Sequence, residues 1–99
     1  MHILTVLYHH PDDPAAFDKY YRATHVPLGA AIPDVRSFTY RNTVSLDENP
    51  PPYHLIAELA FDSLEALQGA LASEAGQAAV ADVPNFATGG VTMFVAVDD

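Results

Sequence analysis

His25 is the side chain in this sequence whose type and position best suit proton transfer. An imidazole has a reference pKa of about 6.5, so it both accepts and donates protons near neutrality. Apolar and aromatic residues recur around it at helical spacing, at Phe17, Tyr21, Leu28 and Ile32. On a helix that advances about 100° per residue, His25 falls on the same face as these residues. The spacing therefore predicts that His25 points inward, toward a sheet.

Tyr21 lies one helical turn before His25 and is the natural candidate to orient it or to bind a substrate oxygen. We predict His25 as general base or acid and Tyr21 as its hydrogen-bonding partner. Tyr20 points about 100° away from Tyr21 and is predicted to pack. The alternatives are structural: His25 as a buried histidine bonded to a backbone carbonyl or a neighbour, and Tyr21 as a core residue.

Two groups of side chains could ligate a metal, but neither has a recognised ligand spacing such as H-E-x-x-H. The first group is His9, His10, Asp12 and Asp13, among prolines at the end of a strand, and the second is His54 with Glu58 on one strand face. The sequence also lacks a G-x-G-x-x-G or Walker A motif. We therefore predict no metal site and no cofactor.

The elements that position His25 follow from hydrophobic patterning and turn residues. Asp13 and Pro14 suit the N-cap and first position of the helix that carries His25. Pro27 lacks an N–H donor, so we expect a break or restart beside His25. Asp62 or Ser63 is predicted to cap a second helical region, with Glu65 as a capping-box partner of Asp62. The predicted strands are His2–Tyr8, Val35–Leu46, Tyr53–Phe61 and Val91–Val97, and the second helical region is interrupted near Ser73 and Gly76.

This order predicts a single α+β domain over residues 1–99: a βαββαβ unit with a four-stranded antiparallel sheet and both helical regions on one face. The first and last strands are apolar at nearly every position. Helices cover only one face of a sheet, so a second copy of the chain is the simplest cover for the other face. The sequence therefore predicts a homodimer.

Charge and composition limit the possible partners. The formal net charge is −9, with 13 acidic residues against 4 Lys and Arg. Nucleic acids and anionic membranes attract clustered basic residues, so we predict that the chain binds neither. It has no Cys, which gives no sign of an oxidising compartment, and no stretch of about 20 apolar residues. A cytoplasmic location is the default expectation.

Two stretches together resemble the EthD domain within the dimeric α+β barrel superfamily. The first is Tyr-Tyr-x-x-x-His-x-Pro-Leu at residues 20–28, and the second is Asp-Val-Pro-Asn-Phe at residues 82–86. The resemblance extends to Phe17, Pro33, Tyr53, Glu58 and residues 61–63. It implies a ferredoxin-like fold, dimerised through its sheets, with a pocket between sheet and helices in each subunit.

Similar proteins often bear the label "EthD family reductase", and related barrels act as monooxygenases, cyclases and lactone isomerases, usually without a cofactor. The candidate substrate contacts are Phe17, Leu28, Tyr40, Asn85 and Phe86. Tyr40 shares a strand face with Phe38 and lines either the pocket or the dimer interface. Asn85 and Phe86 either close over a pocket mouth or form an ordinary turn with a hydrophobic plug.

The sequence supports two functions. The first is a cofactor-independent enzyme, an oxidoreductase or a proton-transferring isomerase or cyclase, acting on a small hydrophobic carbonyl, phenol or lactone. A redox role would need an external reductant, or oxygen reacting directly with an electron-rich substrate. The second is a binding or accessory protein for a hydrophobic metabolite, in which His25 is only a hydrogen-bonding group.

Overall fold

The computed structural model describes residues 1–98 as four strands and two helical regions in the predicted order. The strands are β1 (His2–Tyr8), β2 (Ser37–Asn42), β3 (Leu55–Phe61) and β4 (Val91–Val97). The first helical region comprises α1 (Pro14–Tyr20), a π-helical turn (Tyr21–His25) and α2 (Val26–Ala30). The second comprises α3 (Leu64–Ala72), α4 (Glu74–Asp82) and a 3₁₀ turn (Val83–Asn85).

The strands form one antiparallel sheet in the order β2-β3-β1-β4. Tyr8, at the end of β1, lies opposite Leu55 of β3 and Val91 of β4. Alternate residues of the two central strands are buried under the helices, as the pleat of a strand requires. The inner-face core residues of these strands are Leu4, Val6, Tyr8, Leu55, Ala57, Leu59 and Phe61.

The first helical region begins as predicted but passes Pro27 without a break. The Asp13 side chain accepts a hydrogen bond from the backbone N–H of Ala16, and Pro14 is the first helical residue. Beside His25 the backbone N–H of Val26 bonds to the carbonyl of Tyr21, five residues earlier. The helix therefore accommodates the proline by widening into a π-helical turn rather than by stopping.

The second strand is shorter than predicted at both ends. Its ladder runs only from Ser37 to Asn42, and Val44 and Leu46 of the predicted strand are exposed. The partner strand explains the limit: β3 begins at Leu55, and the preceding Pro50-Pro51-Pro52 run has no N–H to extend the ladder. Residues 43–46 therefore do not form a strand, because no neighbouring strand pairs with them.

The second helical region is capped by serines. Ser63 accepts a hydrogen bond from the N–H of Ala66, and Ser73 ends α3 and caps α4 by accepting from the N–H of Gly76. The predicted capping box between Asp62 and Glu65 is wrong, because Ser63 is the N-cap. Asp62 instead accepts hydrogen bonds from Arg36.

No element of residues 1–98 covers the sheet face opposite the helices, and we call this face the outer face. Its apolar residues on β1, β3 and β4 are Ile3, Leu7, Ile56, Ala60, Phe94 and Ala96. Phe94 is 50% exposed. Near its β2 edge, the outer face carries an ion pair between Arg41 and Glu58. Within residues 1–98, no helix has the length and apolar character to cross a membrane.

Candidate functional site

The site is built around a buried, hydrogen-bonded pair of side chains, His25 and Asp82. His25 closes the π-helical turn, and Asp82 is the last residue of α4. The Nδ1 atom of His25 lies 3.0 Å from Oδ2 of Asp82. Each residue is only 7% exposed. The two helical regions are thus joined under the surface by a charged hydrogen bond.

Asp82 is ionised because three donors converge on its carboxylate. Oδ2 faces His25, and Oδ1 accepts from the Tyr20 hydroxyl at 2.6 Å and from Nδ2 of Asn85 at 3.0 Å. Burial by itself raises the pKa of Asp82, but the hydrogen bonds from Tyr20, Asn85 and His25 outweigh it and hold the pKa below the ordinary 3.8. A carboxylate only accepts, so Nδ1 of His25 carries a proton.

The other imidazole nitrogen faces the sheet. Nε2 of His25 lies 3.5 Å from the Tyr8 hydroxyl, a long contact that leaves this nitrogen open to a ligand. With Nδ1 protonated, a neutral His25 has its free lone pair at Nε2. Burial raises the pKa of the Tyr8 and Tyr21 phenols well above the ordinary 10.0, so both stay protonated and act as donors.

Tyr21 contacts His25 through its ring and not through the predicted hydrogen bond. The ring centroids of Tyr21 and His25 are 5.2 Å apart. The Tyr21 hydroxyl forms its hydrogen bond with the Tyr8 hydroxyl instead. Tyr21 is fully buried. Of the two imidazole nitrogens, Nδ1 is bonded to Asp82, and Nε2 makes only the long contact with Tyr8. Tyr21 is therefore a supporting group for Tyr8 and a wall for His25.

A cluster of aromatic rings encloses His25 on the side of the second helical region. Phe86, 5% exposed, lies with its centroid 4.7 Å from that of the imidazole. It also contacts Tyr8, Phe17, Tyr20 and Tyr21. Such rings exclude water, and a lower local dielectric strengthens the His25–Asp82 interaction.

A cavity of about 40 Å³ lies between the helices and the inner face of the sheet, bordered by His25, Tyr8 and Tyr21. A water molecule needs about 10–15 Å³ of such space, so the cavity has room for about three water-sized groups. The remaining walls are aliphatic or aromatic and include Val6, Ile32, Phe38, Leu59, Val80 and Met93. Val80 and Met93 are nearly half exposed, which places the opening between α4 and β4.

The predicted substrate contacts lie elsewhere. None of Phe17, Leu28, Tyr40, Asn85 and Phe86 is among the residues that line this cavity. Asn85 holds Asp82, Phe86 packs on His25, and Phe17 lies behind both in the aromatic cluster. Leu28 and Tyr40 are partly buried against the core. The sequence motif thus marks the residues that support His25 more than those that border the cavity.

Sequence reasoning missed Asp82 and Tyr8 as members of the site. The sequence pattern puts Asp82 in a turn, although it follows Gly76 and Ala79 on the buried face of α4. A carboxylate at a buried position requires a hydrogen-bonding partner. The helical spacing of Asp82 from Gly76 and Ala79 was therefore the sequence feature that could have identified it. Tyr8 ends a strand whose inner-face residues are otherwise aliphatic, so a phenol aimed at the cavity was a second signal.

A separate polar cluster around His54 lies where β1 ends and β3 begins. His54 Nε2 bonds to Asp18 at 2.8 Å, and Asn42 donates to the same carboxylate oxygen. His54 thus faces α1 and not Glu58 as predicted, because it precedes the first residue of β3. No group of three or more His, Asp or Glu side chains within the described chain is arranged to hold a metal ion.

Comparisons with known proteins agree with this architecture. The family model of the EthD domain matches residues 9–90. An uncharacterised 11.0 kDa protein from the thcB–thcC intergenic region of Rhodococcus erythropolis is 50% identical over 93 residues, 94% of this chain and 90% of that protein.

Solved structures are similar as well. That of an ethyl tert-butyl ether D (EthD) family protein from Bacillus halodurans has a TM-score of 0.94 at 31% identity, covering 100% of this chain and 99% of that one. A ferredoxin-like protein of unknown function from Thermobifida fusca, described as dimeric, has a TM-score of 0.73 at 14% identity, over 99% and 92% of the two chains. The predicted ferredoxin-like α+β fold is confirmed.

Proposed function

The chain belongs to the EthD domain family, and we propose that it is a small-molecule enzyme that transfers a proton on a hydrophobic carbonyl, phenol or lactone. The observation that carries this proposal is the His25–Asp82 pair at 3.0 Å, with Nε2 of His25 on the cavity side. A buried imidazole held by a carboxylate at one nitrogen and open at the other has the arrangement of a general base.

The proposed step begins with a carbonyl compound in the cavity. His25 Nε2 accepts a proton from the carbon next to the carbonyl, the C–H electron pair forms an enolate, and its oxygen accepts a hydrogen bond from Tyr8. Asp82 stabilises the imidazolium formed in this step. The same Nε2–H then returns the proton to the original carbon or to another atom of the molecule, so the step needs no co-reactant. A positioned base of this kind contributes about 10² to 10⁴ in rate.

Tyr8 is suited to the oxygen because its raised pKa keeps it a donor throughout the step. Tyr21 forms a hydrogen bond with the Tyr8 hydroxyl and orients it. The apolar walls hold the carbon skeleton and exclude water. In this proposal His25 is the catalytic base, Tyr8 the oxygen-binding group, and Asp82 and Tyr21 the positioning residues.

The second candidate is a non-catalytic binding protein for a hydrophobic metabolite. It is favoured by the lining of the cavity, which is apolar apart from His25, Tyr8 and Tyr21. Such a surface retains a small organic molecule mainly by burying its apolar part. His25 or Tyr8 then donates one hydrogen bond to it. Turnover separates the two candidates.

Hydrogen–deuterium exchange in cyclohexanone tests the proposal without knowledge of the natural substrate. We expect the wild-type protein in D₂O to accelerate the loss of the α-proton signals, and the His25→Gln variant, which keeps a polar group without a base, to lack this acceleration. Phenol binding and thermal unfolding are measured on the same samples. Binding without exchange by the wild-type protein supports the second candidate, and full exchange by His25→Gln overturns the role of His25.

We propose further that the active form is a homodimer joined through the outer face. No helix or strand of the described part of the chain covers the apolar residues of this face, and Phe94 is half exposed. Burying apolar surface contributes about 25 cal/mol per Å², which makes a self-complementary sheet face a favourable interface. The dimeric state described for the Thermobifida fusca relative supports this assignment.

A further inference from the structure

Gly29 and Phe38 form one wall of the cavity, where α2 crosses the edge strand β2. A Cβ atom placed on Gly29 would lie 2.7 Å from Cε2 and 3.0 Å from Cζ of Phe38. Gly29 is buried, so solvent does not fill the space beside its Cα atom. The Phe38 ring therefore rests directly on the helix backbone, in the space that any other side chain would occupy.

The position of the ring decides how much of the cavity is open. The backbone of Phe38 is fixed by its pairing with Leu59 in the ladder between β2 and β3. A methyl group on Gly29 would thus turn the ring about its own side-chain torsions, and the neighbouring Tyr40 ring, 5.8 Å away, restricts the turn along the strand. The cavity, with room for only a few atoms, is the space that such a turn would fill.

We propose, building on the function proposed above, that the contact between Gly29 and Phe38 determines ligand size and selects molecules with no more than a single ring. The cavity volume of about 40 Å³ accepts an oxygen and the first carbon atoms beside His25 and Tyr8. The remaining carbon atoms lie toward the opening between Val80 and Met93. Phe38 forms the wall that a fused second ring would strike.

Phenol and 2-naphthol are matched probes for this inference, because they differ by one fused ring and carry the same hydroxyl group. The protein contains no Trp, so the fluorescence of 2-naphthol is read without overlap, and phenol binding is measured by NMR. Adding or removing a single methylene in an apolar pocket changes binding by about 10- to 200-fold. Gly29→Ala is therefore expected to weaken phenol binding about tenfold or more.

Phe38→Ala is expected to act in the opposite direction and to improve binding of 2-naphthol relative to phenol by about tenfold or more. The double variant, Gly29→Ala with Phe38→Ala, should bind like Phe38→Ala alone, because the added methyl group acts only through the ring. Gly69→Ala is the matched control: Gly69 lies in α3 with nothing within 4 Å of an added Cβ, and both affinities should stay unchanged.

The outcomes separate this inference from the proposed function. Failure of the wild-type protein to bind either probe overturns both. Wild-type binding of phenol, together with unchanged phenol affinity in a folded Gly29→Ala variant, overturns only the size-selecting role of Gly29. Should Gly29→Ala not fold, Phe38→Ala decides, since an unchanged ratio of the two affinities in that variant is incompatible with Phe38 as the limiting wall.

Discussion

Replacing Asp82 by Asn tests the network that holds His25, since it removes the negative charge and leaves the shape nearly unchanged. Three donors converge on two carboxylate oxygens, from His25, Tyr20 and Asn85. An amide offers one oxygen, and its nitrogen is itself a donor. The charge-assisted hydrogen bonds to the carboxylate are therefore replaced by weaker neutral ones, which costs about 1–3 kcal/mol of the free energy of unfolding.

The loss should depend on pH in a defined direction. The folded pKa of Asp82 lies below its ordinary 3.8, so the carboxylate contributes stability that is present above pH 3.8 and is lost as the pH falls through the folded pKa. The amide that replaces it in the Asp82→Asn variant does not titrate. The difference in stability between the wild-type protein and this variant should thus be full near neutrality and should shrink as the pH falls below 3.8 and through the folded pKa of Asp82.

Urea unfolding followed by far-UV circular dichroism measures both quantities, and a thermal melt gives a second reading at about 4–8 °C per kcal/mol for a domain of this size. Asp62→Asn is the control, because it removes an exposed carboxylate paired with Arg36 and should have a much smaller effect at neutral pH. Equal stability of Asp82→Asn and the wild-type protein would refute the reasoning. So would a difference that persists undiminished in acid.

Three further substitutions test the packing and the outer face. Gly69→Ala should raise the free energy of unfolding by about 1 kcal/mol, because Ala has the higher helix propensity. Gly76→Ala should lower it by about 1–3 kcal/mol, because the added Cβ would overlap the Ala70 carbonyl oxygen. Equal effects of the two substitutions in urea unfolding would contradict this contrast. Phe94→Glu places a charge in the outer face and should convert a dimer to a folded monomer in light scattering, so a dimer that survives the change excludes this face as the interface.

The order of elements was predictable because each depends on local signals. β1 and β4 match the predicted ranges residue for residue, and the Asp13–Pro14 start of α1 is also as predicted. The misplaced ends of β2 depend on its partner, since Val44 and Leu46 have strand-forming types but no strand to pair with beyond the proline run. Pairing is a long-range property that composition does not contain.

The site was predictable only at its centre. Helical spacing identified His25 as buried, and the structure places it at 7% exposure. Its partners are distant in sequence: Asp82 is 57 residues away and Tyr8 is 17 residues away. Their approach to His25 depends on how two helical regions dock on one sheet, which periodicity alone does not fix. Residue spacing therefore found His25 but not the groups that contact its two nitrogens.

The π-helical turn links the local sequence to the proposed chemistry. Four residues of an α-helix advance about 400°, which leaves side chains at positions i and i+4 about 40° apart. A turn closed by a bond between residues five apart advances less per residue, so Tyr21 and His25 come closer to alignment. Both are buried on the same side, with Tyr21 beside Tyr8 and His25 beside Asp82. Pro27 makes this possible, because its missing N–H removes the hydrogen bond that would favour a regular α-helical turn at this point. The residue expected to interrupt the helix is thus the one that favours the geometry in which His25 meets both of its partners.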